Sequence, residues 1–404
     1  MWCNRYAVGY NVAMNKEIII IGGGASGLML ASLLPKQSAL VIEANGKTGA
    51  KIAVSGGGKC NITNAKMDSS FYRGESSFIQ KSLKAFDQNA LLAWIKARGV
   101  SPVLKKENQY FCPNSAKELL QILEQESKKQ TFLLGEKVIS VDKRGLYFSV
   151  KTDKRVLTSR AVAVASGGVS YPILGATSVG YEIAAFFGHT VVKTAPALVG
   201  LTVQKEQFFF KELSGASVDV QIKAAGRLCQ GSLLFTHKGI SGPAVLDASL
   251  YWDKGNIAID FLPAFSWDHV RSSKKQLTSI LPLPKRVAKA FLIQLGIEDK
   301  IGSKISAEEL KRLKTLNCYS FAPAGTFGYS KAEVTKGGVC TNEVEADTMM
   351  SLKSEGLYFV GEVLDVTGRL GGYNFQWAFS SAFVCAASLK HRKKIENNFQ
   401  IELN

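Results

Sequence analysis

The hydrophobic pattern of this chain begins with four consecutive isoleucines at residues 18–21, which lead directly into three glycines at 22–24. A second apolar stretch continues to Leu34, and a third, residues 39–42, ends at the acidic residue Glu43. Short apolar runs bounded by glycine are typical of buried parallel strands, and the longer stretch between them has the length of a helix. The pattern therefore predicts a strand, a tight turn, a helix and a second strand in succession.

The spacing of the glycines in this turn is typical of a nucleotide-binding site. Gly22, Gly24 and Gly27 fit G-x-G-x-x-G, in which the first glycine turns the chain, the second lets the backbone approach a pyrophosphate and the third lets helix and strand pack closely. The N-terminus of the helix then favours the anion. Glu43 follows Gly22 by 21 residues, near the spacing of about 20 at which a carboxylate binds a ribose hydroxyl. These features predict an adenine dinucleotide site; the alternative is a fortuitous glycine-rich βα turn.

The pattern then changes twice along the chain. Residues 51–64 are rich in glycine and polar residues and are predicted to be a loop. Helices are predicted at 78–98, 117–129 and 175–187, a strand pair near 137–142 and 146–152, and a small-residue strand at 161–165 that ends in a second glycine turn. From about Ala195 the alternation becomes that of antiparallel strands, followed by a helical, lysine-rich stretch at 267–317 with the capping-box pattern Ser306-x-x-Glu309. A strand at 356–362 and a final helix at 374–390 return to the first pattern.

Composition limits the class of protein. With 404 residues and 46% hydrophobic content, the chain is long enough for two or three globular domains, and we expect no transmembrane helix. The seven cysteines are scattered without a C-x-x-C pair, which predicts neither a disulfide framework nor a metal site and favours the cytoplasm. Residues 1–15 lack the apolar centre of a signal peptide, so they are interpreted as an N-terminal extension, with Met14 as an alternative start.

The net charge of +17 raises the question of an anionic partner. Basic residues are spread along the chain, apart from a cluster at residues 390–394 that we place at the end of the final helix. Cations at a helix C-terminus are favoured by the macrodipole, and this interpretation is preferred to a nucleic-acid-binding arm.

The second glycine-terminated strand decides which dinucleotide is expected. FAD is long, so its ribityl chain and flavin need an anchor beyond the first βαβ unit. Gly361, Glu362 and Asp365, followed by two glycines before the final helix, supply a carboxylate and helix amides for that end. The alternative is a strand and helix that merely close a sheet. No second G-x-G-x-x-G is present for a nicotinamide domain, so NAD(P)H, if it is the electron donor, docks transiently.

Four further segments complete a resemblance to a known family. They are SGGGKCNITN at 55–64, ASGG at 165–168 with Tyr171-Pro172, FTHKGISGP at 235–243 and GEVLDVTGRLGGYNFQ at 361–376. Together with residues 22–27 they resemble the BaiN-like bacterial flavoproteins, also described as the aminoacetone oxidase family or as NAD(P)/FAD-dependent oxidoreductases. The resemblance extends from about Lys16 to Leu389.

This resemblance implies a fold of the α/β class: a discontinuous Rossmann-type, glutathione-reductase-like FAD-binding domain with an inserted antiparallel β-barrel and a small helical subdomain. The predicted boundaries are an N-terminal extension at 1–15, the FAD-binding domain at 16–194 and 337–404, the barrel at 195–264 with a return at 323–336, and the helical insert at 265–322. The resemblance also implies that Ala25, Ser26, Glu43, Lys51, Gly57, Val138, Asp365, Asn374 and Phe375 line the FAD, with Val138 using its backbone near the adenine. The candidate cofactor-binding set is completed by Gly22, Gly24, Gly27, Ala44, Ser55, Gly58, Gly167, Gly361 and Gly372.

No catalytic residue is identified by the sequence. Cys60 is interpreted as a packed residue rather than a redox thiol, because no second cysteine is near it in sequence. For His237, a hydrogen bond to the loop backbone is preferred to a catalytic role, and for Tyr373, packing in the core is preferred. His189 is interpreted as a cation at the end of a helix.

The main functional hypothesis is an FAD-dependent oxidoreductase, linked to NAD(P)H, that acts on a small organic substrate held between the FAD domain and the insert. The alternative is a flavin-containing nucleic-acid-binding or RNA-modifying protein, which the charge of +17 and the lysine-rich insert motivate. A third, weaker hypothesis is an FAD-bound structural or sensing protein without turnover.

Overall fold

A computed structural model describes residues 15–402, and side-chain environments for residues 16–392. The predicted N-terminal extension and the alternative start at Met14 thus lie outside the described residues, except that Asn15 begins the first strand. The chain divides into two compact units: one runs to Ala195 and resumes at Val334, and the other comprises Pro196–Glu333.

The strands, in chain order, are β1 (Asn15–Ile21), β2 (Ala39–Glu43), β3 (Asn61–Asn64), β4 (Tyr72–Arg73), β5 (Val103–Leu104), β6 (Gln109–Phe111), β7 (Thr131–Leu134), β8 (Val138–Arg144), β9 (Tyr147–Thr152), β10 (Val156–Val164), β11 (Val191–Ala197), β12 (Leu201–Thr202), β13 (Ser217–Ala224), β14 (Arg227–Thr236), β15 (Gly239–Ser241), β16 (Ile257–Asp260), β17 (Tyr319–Phe321), β18 (Gly325–Thr326), β19 (Val334–Val339), β20 (Leu357–Phe359) and β21 (Thr367–Gly368).

The α-helices are α1 (Ala25–Leu33), α2 (Ala50–Val54), α3 (Ser76–Ala85), α4 (Gln88–Lys96), α5 (Ala116–Ser127), α6 (Val179–Phe186), α7 (Phe209–Glu212), α8 (Pro243–Tyr251), α9 (Leu277–Ile280), α10 (Lys285–Gln294), α11 (Ala307–Lys314) and α12 (Tyr373–Glu402). The described residues contain no helix whose length and apolar character suit a membrane crossing.

The first unit is built on a mixed seven-stranded sheet. Strands β7, β2, β1 and β10 are parallel neighbours, and β20 adds in parallel to the C-terminal half of β10. The N-terminal half of β10 pairs instead with the antiparallel strand β9, which in turn pairs with β8. The isoleucines of β1 are buried, as expected for a central parallel strand covered on both faces. The predicted Rossmann-type fold class is therefore confirmed.

The second unit contains a seven-stranded antiparallel sheet in the order β17-β16-β13-β14-β15-β12-β18. Alternate residues of β13 are buried and exposed, which is the pattern of a sheet with one face on a core. That core contains an aromatic cluster in which the ring of Phe210 lies 5.1 Å from that of Phe235 and 6.1 Å from that of Phe291. The predicted capping box of Ser306 and Glu309 opens α11.

Three predictions about local structure are wrong. Residues 51–64 are not simply a loop, because they contain most of α2, a 3-10 turn (Ser55–Gly58) and β3, and Ile62, Thr63 and Asn64 are buried. The polar residues are tolerated there because they find distant partners; Thr63 Oγ1, for example, donates to Gln376 Oε1 at 2.6 Å.

The final helix does not end at residue 390 but continues to Glu402. Its polar continuation consists largely of good helix formers and contains neither glycine nor proline to stop it. The basic residues at 390–394 are therefore inside the helix, and one of them, Arg392, pairs with Glu355 at 3.2 Å. Residues 78–98 also form two helices, α3 and α4, since the Asp87 side chain caps the second by accepting from the Ala90 N–H.

Candidate cofactor-binding site

Three glycine turns lie at the same edge of the parallel sheet. In the register of the sheet, Ile21 of β1 lies beside Val164 of β10, and Val164 lies beside Phe359 of β20. Gly22, Gly167 and Gly361 follow these strands within three residues. Because the carboxyl ends of parallel strands form the ligand-binding edge of an open α/β sheet, the sequence-predicted glycines from both ends of the chain meet at one site.

Two of the glycines are required by close packing. A Cβ on Gly27 would lie 1.9 Å from the carbonyl oxygen of Gly22, so only glycine lets α1 approach the first turn. A Cβ on Gly361 would lie 2.6 Å from Oγ of Ser26, which places the C-terminal turn directly against α1. The role assigned to the third glycine of the motif is thus visible in the packing.

The N-terminus of α1 is open. Gly24 is its N-cap residue and provides no side-chain cap, and a Cβ placed on Gly24 would meet no atom within 4 Å. Ala25 and Ser26 form the first turn of the helix. The first N–H groups of α1 thus receive no side-chain cap and face free space. Such a helix N-terminus fits a phosphate group.

Glu43 is fixed by the backbone on both carboxylate oxygens. Oε2 accepts the N–H of Gly23 and Oε1 accepts the N–H of Asn45, each at 2.8 Å, so the acid lies against the glycine turn. Ala44 follows on the same turn. The N–H of Glu136 donates to the carbonyl of Glu43 at 3.1 Å, which brings the start of β8, where Val138 lies, to this end of the site.

The segment after β2 is joined by an ion pair to the turn that follows β20. Lys51 Nζ, in α2, lies 2.9 Å from Oε2 of Glu362, the residue after Gly361. Ser55 is engaged in its own turn, where its hydroxyl donates to the Ile52 carbonyl at 2.7 Å. Gly57 and Gly58 have left-handed φ of 63° and 84° and face open space. The 3-10 turn therefore offers backbone, not side chains, to a ligand.

One carboxylate oxygen of Asp365 lacks a hydrogen-bond donor among the described residues. Among the described residues its Oδ1 accepts no hydrogen bond although it is buried, and the guanidinium of Arg73 lies 3.6 Å from it. Burial raises the pKa of Asp365 despite this arginine. A buried carboxylate oxygen lacking a donor fits a ligand that brings hydroxyl groups, such as the ribityl chain of FAD.

The remaining candidates lie at the start of α12. A Cβ on Gly372 would lie 2.6 Å from the backbone of Thr63, so this turn is packed against β3. The Asn374 amide is already used, since Oδ1 accepts the Gly368 N–H and Nδ2 donates to the Gly368 carbonyl, both at 2.9 Å. Phe375 stacks on Phe379 with ring centroids 5.9 Å apart. Asn374 and Phe375 can therefore contribute mainly their backbone.

Thr335 was not found from the sequence. Its hydroxyl accepts the N–H groups of Val169 at 3.0 Å and Ser170 at 3.1 Å, and its own N–H donates to Glu362 Oε1 at 2.8 Å. This residue fixes the turn after β10 to the turn after β20. Thr335 lies outside every recognised motif, so the sequence offered no reason to place it at the site. Glu362, in contrast, lies inside the motif that starts at Gly361.

Cys60 is fully buried, which confirms the packing interpretation. It does, however, have a partner thiol that sequence distance concealed: β3 and β6 pair in the register Asn61 with Phe111, which places Cys60 beside Cys112. The thiol of Cys112 and burial raise the pKa of Cys60. The two thiols form a buried pair, and both cysteines are free.

His189 corrects a prediction. It is not a helix-end cation, because it is buried, its Nε2 is 2.6 Å from Ser351 Oγ, and burial lowers its pKa. Tyr373 is packed as predicted, with its ring stacked 5.0 Å from that of Phe71. His237 is exposed, and the hydroxyl of Thr236, not the histidine, accepts the loop N–H groups. No cluster of potential metal ligands occurs within residues that the structure describes.

Comparison with known proteins gives a consistent result. The family model described as the HI0933-like protein Rossmann domain matches residues 16–388. A ribosomal RNA dihydrouridine synthase of Haemophilus influenzae is 38% identical over 396 residues, which cover 93% of this chain and 99% of the relative. A 3-dehydro-bile acid delta(4,6)-reductase of Clostridium scindens is 31% identical over 419 residues, covering 94% of this chain and 100% of the relative.

Among solved structures, quinol fumarate reductase FrdA of Escherichia coli aligns with 94% of this chain and 71% of its own, at 13% identity and a TM-score of 0.50. At this identity the likeness concerns the fold alone.

Proposed function

This chain belongs to the HI0933-like Rossmann-domain family, and we propose that it is an FAD-dependent reductase of a uracil base in ribosomal RNA, with NAD(P)H as electron donor. The family match confirms the resemblance to BaiN-like flavoproteins, and the protein is an oxidoreductase. The observation that carries the proposal is the match at 38% identity along nearly the whole length of a ribosomal RNA dihydrouridine synthase.

The names of the two relatives describe one reaction type. Formation of dihydrouridine saturates the C5–C6 double bond of uracil, which is conjugated to a carbonyl, and a 3-dehydro-bile acid delta(4,6)-reductase acts on double bonds conjugated to a ketone. Bound FAD, once reduced by NAD(P)H, would supply the two electrons, as a hydride, for such a reduction, and a proton would complete it. The family relationship therefore supports reduction of a conjugated carbon–carbon double bond.

The residues of the first unit fit FAD. The open N-terminus of α1 at Gly24 would hold the pyrophosphate, and Glu43 would bind the adenosine ribose. Asp365, with a buried oxygen that no donor from the described chain satisfies, would accept hydroxyl groups of the ribityl chain. Lys51, held by Glu362, places a cation at the same edge of the sheet.

RNA replaces the small organic substrate as the favoured partner. The sequence alone favoured a small molecule, but the charge of +17 suits a polyanion, and the relative of highest identity reported above carries an RNA substrate in its name. The small-molecule reductase remains the second candidate because the bile acid reductase matches over 94% of this chain. The expected position of the substrate against the insert stays a prediction.

A single anaerobic experiment separates the two candidates. The FAD-loaded full-length protein is reduced with NADH or NADPH and mixed either with unmodified ribosomal RNA transcript or with a 3-oxo-delta(4,6) bile acid. We expect RNA, and not the steroid, to restore the absorbance of oxidised flavin, and mass spectrometry of digested RNA to show uridine that has gained two hydrogens. Reoxidation by the steroid alone would favour the second candidate, and reoxidation by neither would reject both.

A further inference from the structure

Four exposed cations of the second unit lie on two chain segments that pair with each other. They are Arg271, Lys274, Lys275 and Lys304, named here the 271–304 cation cluster. The Gly302 N–H donates to the Lys275 carbonyl and the Ser303 N–H to the Ser273 carbonyl, both at 2.9 Å. An antiparallel bridge between Gln276 and Ile301 continues this pairing. The backbone therefore brings Lys304 next to the 271–275 segment, although 29 residues separate it from Lys275.

The charge of the cluster is not neutralised. Residues 271–304 contain eight basic and two acidic residues. One of the acids, Asp299, accepts the hydroxyl and the N–H of Thr278. Within the described part of the chain, none of the four cluster residues forms an ion pair, whereas the neighbouring Lys300 pairs with Glu309 at 3.0 Å.

Two other basic side chains of the region form hydrogen bonds within the protein. Arg286 donates to the carbonyls of Leu213 and Ser214, and Arg312 donates to the carbonyl of Leu295 at the end of α10. These two arginines are held by protein backbone. The cluster residues, in contrast, extend exposed cationic groups with no partner among the described residues, which is the arrangement suited to an external anion.

We propose that the 271–304 cation cluster is a docking surface for RNA phosphates. The proposal rests on the proposed RNA substrate and adds where this substrate is held. Lysine and arginine contacts to phosphate position an RNA without reading its sequence, so this surface would supply affinity while the base is selected elsewhere.

An anionic membrane is the alternative polyanion, and the structure favours RNA. Binding in a bilayer interface needs an apolar helix face beside the cations. In α10 that face, formed by Val287, Ala288, Phe291 and Leu292, is buried in the core of the unit. Ile293 is the one exposed large apolar residue of α10, and a surface that offers cations without an apolar helix face fits a hydrophilic polyanion.

The test compares two variants of equal net charge. The cluster variant replaces the four residues by glutamine, and the control variant replaces four other exposed lysines of the same unit, Lys205, Lys223, Lys254 and Lys331, by glutamine. Both lower the net charge from +17 to +13. Unfolding temperature and FAD content are measured first, so that a folding defect is recognised.

Affinity of the full-length protein for a fluorescein-labelled single-stranded RNA is then measured over a salt series. We expect the cluster variant to bind roughly tenfold or more weaker, with a salt slope shallower by about 0.7 for each phosphate that it no longer neutralises, and the control variant to bind nearly as the wild type does. With ribosomal RNA as substrate, the cluster variant should show a raised KM at unchanged kcat, since it changes no group at the reacting base.

Equal loss in both variants would overturn the proposal, because net charge alone would then explain binding. Cluster-dependent binding to phosphatidylglycerol vesicles without RNA binding would overturn it in favour of a membrane. If the cluster variant binds and reduces RNA as the wild type does, the docking surface is wrong while the proposed function stands. If the wild type binds no RNA even at low salt, the RNA substrate itself is wrong.

Discussion

The ammonium group of Lys51 lies 2.9 Å from the carboxylate of Glu362, although 311 residues separate them in the chain. The other oxygen of Glu362 accepts the N–H of Thr335. This single carboxylate thus connects α2, β19 and the turn after β20. Three segments that the chain visits far apart are held together at the carboxyl edge of the parallel sheet, where the cofactor is proposed to bind.

Replacement of Lys51 by methionine should weaken FAD binding. The change removes a cation near an anionic cofactor and leaves Glu362 without its charged partner, so we expect the dissociation constant of FAD to rise about tenfold. Lys59→Met is the matched control, because Lys59 is an exposed lysine of the same segment whose ammonium has no partner among the described residues. Tryptophan or flavin fluorescence during FAD titration measures both; equal affinities in the two variants would contradict the role given to the ion pair.

Substitution of Gly24 should weaken FAD binding and leave the fold stable, whereas substitution of Gly27 should destabilise the fold. Serine is a good N-cap residue, and a Cβ at Gly24 meets no protein atom within 4 Å, so Gly24→Ser should keep or slightly raise stability. Its side chain enters the space assigned to the pyrophosphate, so the FAD dissociation constant should rise at least about tenfold, or about 1.4 kcal/mol.

Gly27→Ala should instead destabilise the fold, by at least about 3 kcal/mol, because its Cβ would collide with the Gly22 carbonyl. Urea unfolding and FAD titration of both apoproteins make the comparison. Unchanged FAD affinity in Gly24→Ser would show that the pyrophosphate lies elsewhere.

The cysteines should label in the order of their exposure. Cys318 is exposed, whereas Cys60 and Cys112 have no accessible surface and the pKa of Cys60 is raised. Iodoacetamide needs an accessible thiolate, so Cys318 should be alkylated in the native protein and Cys60 and Cys112 only after urea is added. Peptide mass spectrometry gives the rates. Rapid native labelling of Cys60 would mean that the segment from Ser55 to Cys60 opens in solution.

His189 should make the stability fall as pH is lowered. Its neighbours are Ser351, Phe359 and the carboxylate of Glu343, which also binds Lys353, and burial lowers the pKa of the imidazole. The unfolded chain therefore takes up a proton below about pH 6.5 before the folded one does, which favours unfolding by at most about 1.4 kcal/mol per pH unit. Between about pH 7 and pH 5, wild type should lose stability and His189→Gln should lose less.

The pH window isolates the histidine. The pKa of Glu343 is held near 2, so the stability that this carboxylate contributes is present above its usual pKa of about 4.5 and is lost only as the pH falls from there towards 2. His269→Gln, at an exposed histidine, serves as the control. Equal pH slopes of the urea midpoint in wild type and His189→Gln would show that His189 does not titrate as inferred.

Much of the first unit follows from local patterns. The run at 18–43 predicts β1, α1 and β2, because a buried parallel strand, a glycine turn and a helix N-terminus each have short-range signatures. The same holds for the strand pair β8 and β9 and for the Ser306 capping box. Two predictions failed because a distant partner decides the structure. The glycine-rich segment 51–64 folds into α2 and β3 through contacts with residues near 110 and 376, and burial beside Ser351 and Phe359 lowers the pKa of His189.

By itself, then, the sequence determined that a dinucleotide-type glycine turn follows the first strand of the first βαβ unit and that glycine-ended strands recur later, since spacing and hydrophobicity are properties of adjacent residues. Only the tertiary structure decided that Gly361 lies against Ser26, that Lys51 pairs with Glu362 and that Cys60 lies beside Cys112. These relationships depend on which strands become neighbours. Strand order is set by the packing of the whole sheet and leaves no mark at the individual positions it brings together.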